Sequence, residues 1–297
     1  MKILIAGSSG LIGKHLTAHL TGKGHQVYRL VRKSANLNQN EIFWDPNRGI
    51  LDSQKISGMD AIINLAGDNI AKGRWTKAKK NLLWSSRIDS TKLLVQAIGE
   101  AALKPKVFAC ASAVGFYGDR GDEQVSESSP PGHGFLSKLC VAWEDAVNLA
   151  KNYDVRVVNF RFGMVLSASG GALSAMLPIF KLGLGGRLGS GNQYISWLHI
   201  DDTVEAIGLC IFNPNISGPI NLVSPKAVSN REFALTLSTV LNRSAFLPVP
   251  RSLLRFFLGE MAEELLLFGQ KVKPNKLNEF GFIFKYKELS QALKNLV

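Results

Sequence analysis

The feature that most constrains this chain lies in its first thirteen residues. An apolar run, Lys2-Ile3-Leu4-Ile5-Ala6, leads directly into Gly7-Ser8-Ser9-Gly10-Leu11-Ile12-Gly13, where a helical pattern opens at Leu11. A strand delivered into a glycine turn that starts a helix is the arrangement a dinucleotide pyrophosphate requires. Glycine permits the tight turn and the close backbone approach, while the helix N-terminus offers N–H groups without intrahelical partners. A bare glycine pattern is weak. Its position after the first strand and at the head of the first helix makes it specific. The competing reading is a glycine turn that serves helix–sheet packing alone.

The end of the second strand selects between dinucleotides. An acidic side chain about twenty residues beyond the turn would hold the adenosine ribose hydroxyl of NAD. The strand reads Gln26-Val27-Tyr28-Arg29-Leu30-Val31-Arg32-Lys33, with Val31 at the acidic position and two cations after it. Arg32 suits a bidentate, charge-assisted contact with a 2′-phosphate, and the Ser8 and Ser9 hydroxyls are available to the same group. The expected cofactor is therefore NADP(H), bound by Gly7, Ser8, Ser9, Gly10, Leu11, Ile12, Gly13, Arg32 and Lys33. Against this stands the reading that Arg32 and Lys33 only solvate a strand end.

The first two-thirds of the chain alternates short apolar runs with longer helical patterns, which predicts an α/β fold with a doubly wound parallel sheet, the Rossmann fold. Strands are expected over 2–6, 26–31, 41–44, 61–65, 106–112 and 155–162, and helices over 11–20, 87–101 and 137–151. Beyond Gly163 come glycine-rich loops, further helices and one more strand near 219–223, read as a smaller C-terminal α/β substrate lobe. The expected division is a dinucleotide-binding domain over 1–165, a lobe with return segments over 166–247 and a helical extension over 248–297. Aromatics between Phe280 and Tyr286 are expected to pack back on the body.

Composition excludes several classes. The stretch from Leu253 to Phe268 is interrupted by Arg255, Glu260, Glu263 and Glu264, so it falls short of the roughly 20 apolar residues of a spanning helix. The opening residues show no secretory pattern. Cys110, Cys140 and Cys210 are widely separated, without metal-type spacing, and read as reduced core residues of a cytoplasmic protein. The net charge of +12 is spread along the chain and comes without a recognition motif. It favours an anionic small ligand over nucleic acid.

The motifs resemble those of the extended short-chain dehydrogenase/reductase superfamily: the glycine turn, Asn64-Leu65-Ala66-Gly67, Ala111-Ser112-Ala113 with Tyr117-Gly118, Glu127 with Pro130 and Pro131 ahead of Ser137-Lys138, and His199-Ile200-Asp201-Asp202. More closely, the chain is similar to the atypical branch called the epimerase family. That likeness rests on Gly73-Arg74-Trp75, Ser86-Arg87-Ile88, the run from Ser112 to Gly121, Gly134-Phe135-Leu136, and a C-terminal extension from Leu258 to Gln270 followed by Pro274 and Gly281-Phe282. The resemblance implies that Leu65, Ala66 and Gly67 flank the adenosine side, that Ser112 orients a substrate oxygen, and that Lys138 holds the nicotinamide ribose.

One departure matters. The superfamily's tyrosine, four residues before the lysine, is here Gly134. General acid–base catalysis contributes roughly 10²–10⁴-fold, so the standard reaction is impaired unless another group substitutes. Tyr117, His133, Asp119 and Glu123 are the candidates, with Tyr117 alternatively a cleft wall and His133 an exposed loop residue. Arg87 stands where the superfamily's helix asparagine aligns. Arg74 and Arg87 either line a pocket for an anionic substrate or pair with Asp89 or Glu144. Asp201 and Asp202 read as a helix start that fixes a loop, with no metal expected. Trp75, Trp84, Trp143 and Trp197 read as core or cleft walls. Two functions follow: an NADP(H)-dependent oxidoreductase or nucleotide-sugar-epimerase-like enzyme with catalytic candidates Ser112, Lys138 and Tyr117, or a non-catalytic NADP(H)-binding regulatory protein. Either takes a small molecule, with no nucleic acid or membrane partner, as a monomer or homodimer.

Overall fold

A computed structural model describes residues 1–33, 40–244 and 247–297. Its first half runs β1 (Lys2–Ala6), α1 (Leu11–Gly22), β2 (Gln26–Val31), β3 (Glu41–Asp45), β4 (Ile50–Leu51), α2 (Ser53–Ile56), β5 (Ala61–Asn64), α3 (Lys77–Glu100), β6 (Val107–Ala113), β7 (Gln124–Val125), α4 (Phe135–Asn148) and β8 (Arg156–Phe162). The second half adds β9 (Met164–Leu166), α5 (Gly171–Lys181), β10 (Tyr194–Ile195), β11 (Trp197–His199), α6 (Ile200–Phe212), β12 (Gly218–Leu222), β13 (Val228–Ser229) and α7 (Asn230–Leu241). The chain ends with α8 (Arg251–Leu258), β14 (Lys271–Val272), α9 (Asn275–Glu279) and α10 (Leu289–Leu296).

Eight strands form the main sheet in the order β12-β8-β6-β5-β1-β2-β3-β4. All pairs are parallel except β3 with β4. The apolar run Ile3-Leu4-Ile5-Ala6 is fully enclosed, as a strand covered on both faces must be. One face packs against α1 and α6 through Leu16, Leu20, Val204 and Ile207. The other packs against α3 and α4 through Leu94, Ile98, Trp143 and Val147. Burying each such side chain stabilises the fold by about 1.5–3 kcal/mol. Strand order reverses at β1, which lies between β2 and β5. The crevice over the carboxyl ends of β1 and β5 is thus the topological switch point, where ligands of such sheets bind.

The doubly wound sheet is as the alternation predicts, with two differences. Helix α3 begins at Lys77, with Thr76 as its cap (Oγ1 accepts from the Lys79 N–H at 3.2 Å). Its first turns carry Lys77, Lys79 and Lys80, and its buried positions begin at Leu83 and Ile88, so the apolar period reveals only its later part. The strand expected near 219–223 is β12, an edge strand of the main sheet on β8, not a piece of the lobe. A separate apolar core joins β9, α5, α7 and α10 through Leu166, Leu173, Phe180, Phe233, Leu237 and Leu293. The C-terminal aromatics do return to the body: Phe284 and Tyr286 are buried, and β14 pairs with β7.

Candidate functional site

The turn after β1 is built from contacts that only glycine permits. Gly7 has φ +77°, and a Cβ there would meet the Leu65 carbonyl at 2.6 Å. A Cβ at Gly13 would sit 2.2 Å from the Gly7 carbonyl oxygen. Helix α1 is thereby drawn tightly under the loop, with the Gly10 N–H donating to the Gly7 carbonyl at 3.0 Å. No side chain caps α1, so its first N–H groups face the loop. At the end of β2, Arg32 and Lys33 are exposed, and neither has an ion-pair partner among the described residues.

The neighbouring turn after β5 is fixed by a buried amide. Asn64 accepts from the Ala66 N–H at 3.1 Å through Oδ1 and donates from Nδ2 to Thr91 Oγ1 at 3.0 Å. Thr91 Oγ1 also accepts from Trp143 Nε1 at 3.0 Å. Leu65, Ala66 and Gly67 are thus held against α3 and α4, beside the glycine turn. Arg87 lies against Gly67 and over the Trp143 ring, 5.2 Å from its centroid. It pairs with neither Asp89 nor Glu144. Its guanidinium donates to the carbonyls of Leu83 and Asp68 at 3.1 and 3.0 Å, and burial holds its pKa below the usual arginine value. Arg74 is exposed on the surface beside Gly259.

Ser112 and Tyr117 are both buried. Ser112, Arg161 and Asn221 stand in register across β6, β8 and β12 and so share one face of the sheet. Ser112 Oγ donates to Glu144 Oε1 at 2.7 Å. Arg161 grips the same carboxylate with two bonds of 2.8 Å and lies 3.5 Å from the Phe116 ring centroid. Burial works against the Arg161 charge, but the hydrogen bonds and charge of Glu144 outweigh it and raise its pKa. Tyr117, fully buried, donates to Asn221 Oδ1 at 2.7 Å and accepts from Arg161 Nη1 at 2.9 Å. Burial pushes its pKa up. The expected substrate-orienting serine and the candidate proton donor are therefore parts of a closed polar network inside the fold. The reason is the two-residue period of β6, which turns Ser112 under α4.

The place of the absent tyrosine is filled from far along the chain. Gly134, φ +101°, precedes α4, and a Cβ there would lie 2.9 Å from the carboxyl atoms of Glu264. Glu264 accepts from the Phe135 and Leu136 N–H groups at 2.8 and 2.7 Å. Lys138, one turn later, is exposed. The other candidates gather beside it: Glu123, paired with Arg120 at 3.2 Å, and Asp119, which accepts from the Gly269 N–H at 3.1 Å, line one open cavity together with Gly134. His133 is exposed and lines the same cavity, of about 520 Å³, with Pro131 and Phe268. Sequence reasoning gave Glu144 the wrong partner, Arg74 or Arg87 in place of Arg161, and missed Arg161 and Glu264. A carboxylate on the inward face of α4 and an arginine inside an apolar strand were signals for the Glu144–Arg161 pair.

At β11 the acidic pair is divided in its duties. His199 caps α6, accepting from the Asp201 N–H at 3.1 Å, while Asp202 accepts from the Lys285 and Tyr286 N–H groups at 2.8 and 3.0 Å. Among the described residues no group of three or more His, Cys, Asp or Glu is placed to hold a metal ion, and no helix is long and apolar enough to cross a membrane.

A doubly wound sheet with a glycine turn at its switch point defines a dinucleotide-binding α/β protein. Residues 3–222 match the profile of the NAD dependent epimerase/dehydratase family, to which this chain belongs, and residues 249–296 match a domain of unknown function, DUF1731. The chain is 44% identical over 291 residues to an epimerase family protein of Mycobacterium bovis, covering 98% of this chain and 96% of that one. It is similar to the crystal structure of human epimerase family protein SDR39U1 (isoform2) with NADPH: TM-score 0.92, 34% identity, 100% of this chain and 99% of that one. MoeE5 in complex with UDP-glucose and NAD shares the fold at TM-score 0.77 and 19% identity, covering 100% of this chain and 97% of that one.

Proposed function

We propose that this protein binds NADP(H) across the carboxyl ends of β1 and β5 and is a cytoplasmic nicotinamide-dependent enzyme acting on a small molecule. The observation that carries this reading is the cradle made by Gly7, Gly10 and Gly13, with Arg32 and Lys33 exposed at the end of β2. These residues fit the cofactor. The backbone closes where a Cβ would fill the space, α1 keeps its first N–H groups for a pyrophosphate, and two cations await a 2′-phosphate. Leu65, Ala66 and Gly67 would flank the adenosine, and Lys138 would hold the nicotinamide ribose. The NADPH named with the human structure supports the same choice.

When bound, the nicotinamide supplies hydride exchange. The chain's own residues then set the limits of the chemistry. Ser112 and Tyr117 are committed to Glu144, Arg161 and Asn221, so the proton accompanying a hydride comes from Lys138, from His133 in the cavity beside Gly134, or from water. Titration with NADPH, followed by hydride exchange against a panel of carbonyl compounds and sugar nucleotides, tests the reading. Saturable NADPH binding with turnover on any member supports it; saturable binding with no exchange across the panel argues for the second reading.

That second reading is a non-catalytic NADP(H)-binding protein whose associations follow cofactor occupancy. It is favoured by the same inward commitment of Ser112 and Tyr117 together with Gly134. Pull-downs with oxidised cofactor, reduced cofactor and none should then recover different proteins, and identical recovery in all three would reject it.

A further inference from the structure

The segment after α8 enters the site through one side chain. Glu264 lies in a π-helical stretch, Ala262–Leu267, a local geometry that often marks functional positions. Its carboxylate spans the first turn of α4 from more than a hundred residues away, with one oxygen on the Phe135 N–H and the other on the Leu136 N–H. Helix α4 has no side-chain cap at its own preceding residue. A carboxylate on two N–H groups at the positive end of a helix makes charge-assisted bonds in a favourable field. The fit requires glycine at position 134, because any Cβ would press on the carboxylate at 2.9 Å.

The surroundings hold the segment in place. Leu258, Met261 and Leu265 pack with Trp75, Leu136 and Leu139 in one apolar cluster, and Gln270 donates to the Gly118 carbonyl at 2.8 Å. The turn that Glu264 closes is also the turn that leads to Lys138, whose N–H donates to the Gly134 carbonyl at 3.2 Å.

We propose that this segment is a working part of the nucleotide site: Glu264 fixes the first turn of α4 and through it Lys138, so that docking of the segment and binding of NADP(H) strengthen each other. This rests on the NADP(H) reading given above. Glu264 is a positioning residue that acts through α4. Linkage makes the effect reciprocal: whatever factor docking adds to nucleotide affinity, the nucleotide adds to docking.

The test uses the full chain, with NADPH titration and amide hydrogen exchange over residues 258–270 in the presence and absence of NADPH. The wild type should bind NADPH and exchange more slowly over that stretch when it is bound. Glu264→Gln should weaken NADPH about tenfold, or about 1.4 kcal/mol, and abolish the added protection. Gly134→Ala should do the same while leaving the carboxylate in the chain, and it carries the test if Glu264→Gln does not fold. Glu263→Gln is the control, since Glu263 pairs with Arg251 and Arg255 in the same segment; it should stay within twofold of the wild type. Glu264→Gln and Gly134→Ala proteins that bind NADPH within twofold of the wild type would overturn the proposal, as would a Glu263→Gln protein as impaired as Glu264→Gln. A wild type that does not bind NADPH would instead overturn the cofactor reading on which it rests.

Discussion

Replacing Tyr117 with phenylalanine separates a structural hydroxyl from a catalytic one. The change removes a single oxygen, yet that oxygen donates to Asn221 Oδ1 at 2.7 Å and accepts from Arg161 Nη1 at 2.9 Å inside the fold. Asn221 is fully buried, so its Oδ1 would be left without its donor. Arg161 Nη1 would keep only the Glu127 carbonyl at 3.4 Å. An orphaned buried polar group costs about 1–3 kcal/mol, so one full and one partial loss give about 2–4 kcal/mol. Unfolding entropy of about 2.1 cal/mol/K per residue over 297 residues amounts to about 0.6 kcal/mol/K. The variant should therefore melt about 3–6 °C below the wild type by calorimetry, with NADPH affinity within twofold. The raised pKa of Tyr117 adds a sign: its neutral form is favoured in the fold, so this contribution is complete below pH 10 and is lost as pH rises through the raised value. A Tyr117→Phe protein that melts with the wild type but loses turnover on a substrate of the enzyme would refute this reasoning and return Tyr117 to the reaction.

Other consequences follow from particular residues. Gly13→Ala drives a methyl to within 2.2 Å of the Gly7 carbonyl oxygen and should abolish NADPH binding in a fluorescence titration. Gly22→Ala, with nothing within 4 Å of the added methyl, should leave binding unchanged and raise stability by about 0.5–1 kcal/mol. Burial holds the His199 pKa below 6.5, and those of His19 and His25 are lowered in the same way. The neutral forms are favoured in the fold, so their stability is present above pH 6.5 and is lost as pH falls through the lowered values. The urea midpoint should accordingly drop between pH 7 and pH 5, and His199→Asn, which keeps a capping oxygen, should drop less. Burial pushes Cys110 and Cys210 up to about 12 and Cys140 up to about 11. A thiol reagent at pH 8 should thus label none of the three until the chain is unfolded.

The fold was legible wherever neighbouring residues carry the signal. Gly7 to Gly13 after an apolar strand announced the turn, and the sheet followed from runs such as Ala61 to Asn64, enclosed on both faces. The cations at the end of β2 were legible for the same reason, because Arg32 and Lys33 follow their own strand and are exposed there. What could not be read depends on distant partners. Ser112 is turned inward by β6 and held by Glu144, 32 residues on, and Tyr117 is locked by Asn221, 104 residues on. Gly134 reads as a loss until Glu264, 130 residues later in the sequence, is seen standing against it. The pairing of β7 with β14 joins two strands of two residues each, too short for any alternation to show.

The sharpest single measurement is the affinity of the wild type for NADPH and NADH side by side with that of Arg32→Glu. NADPH should bind at least tenfold more tightly than NADH to the wild type, and Arg32→Glu should remove that preference by weakening NADPH alone. Equal affinities for the two nucleotides in the wild type, or a preference untouched by Arg32→Glu, would contradict the assignment of NADP(H) to the turn built by Gly7, Gly10 and Gly13.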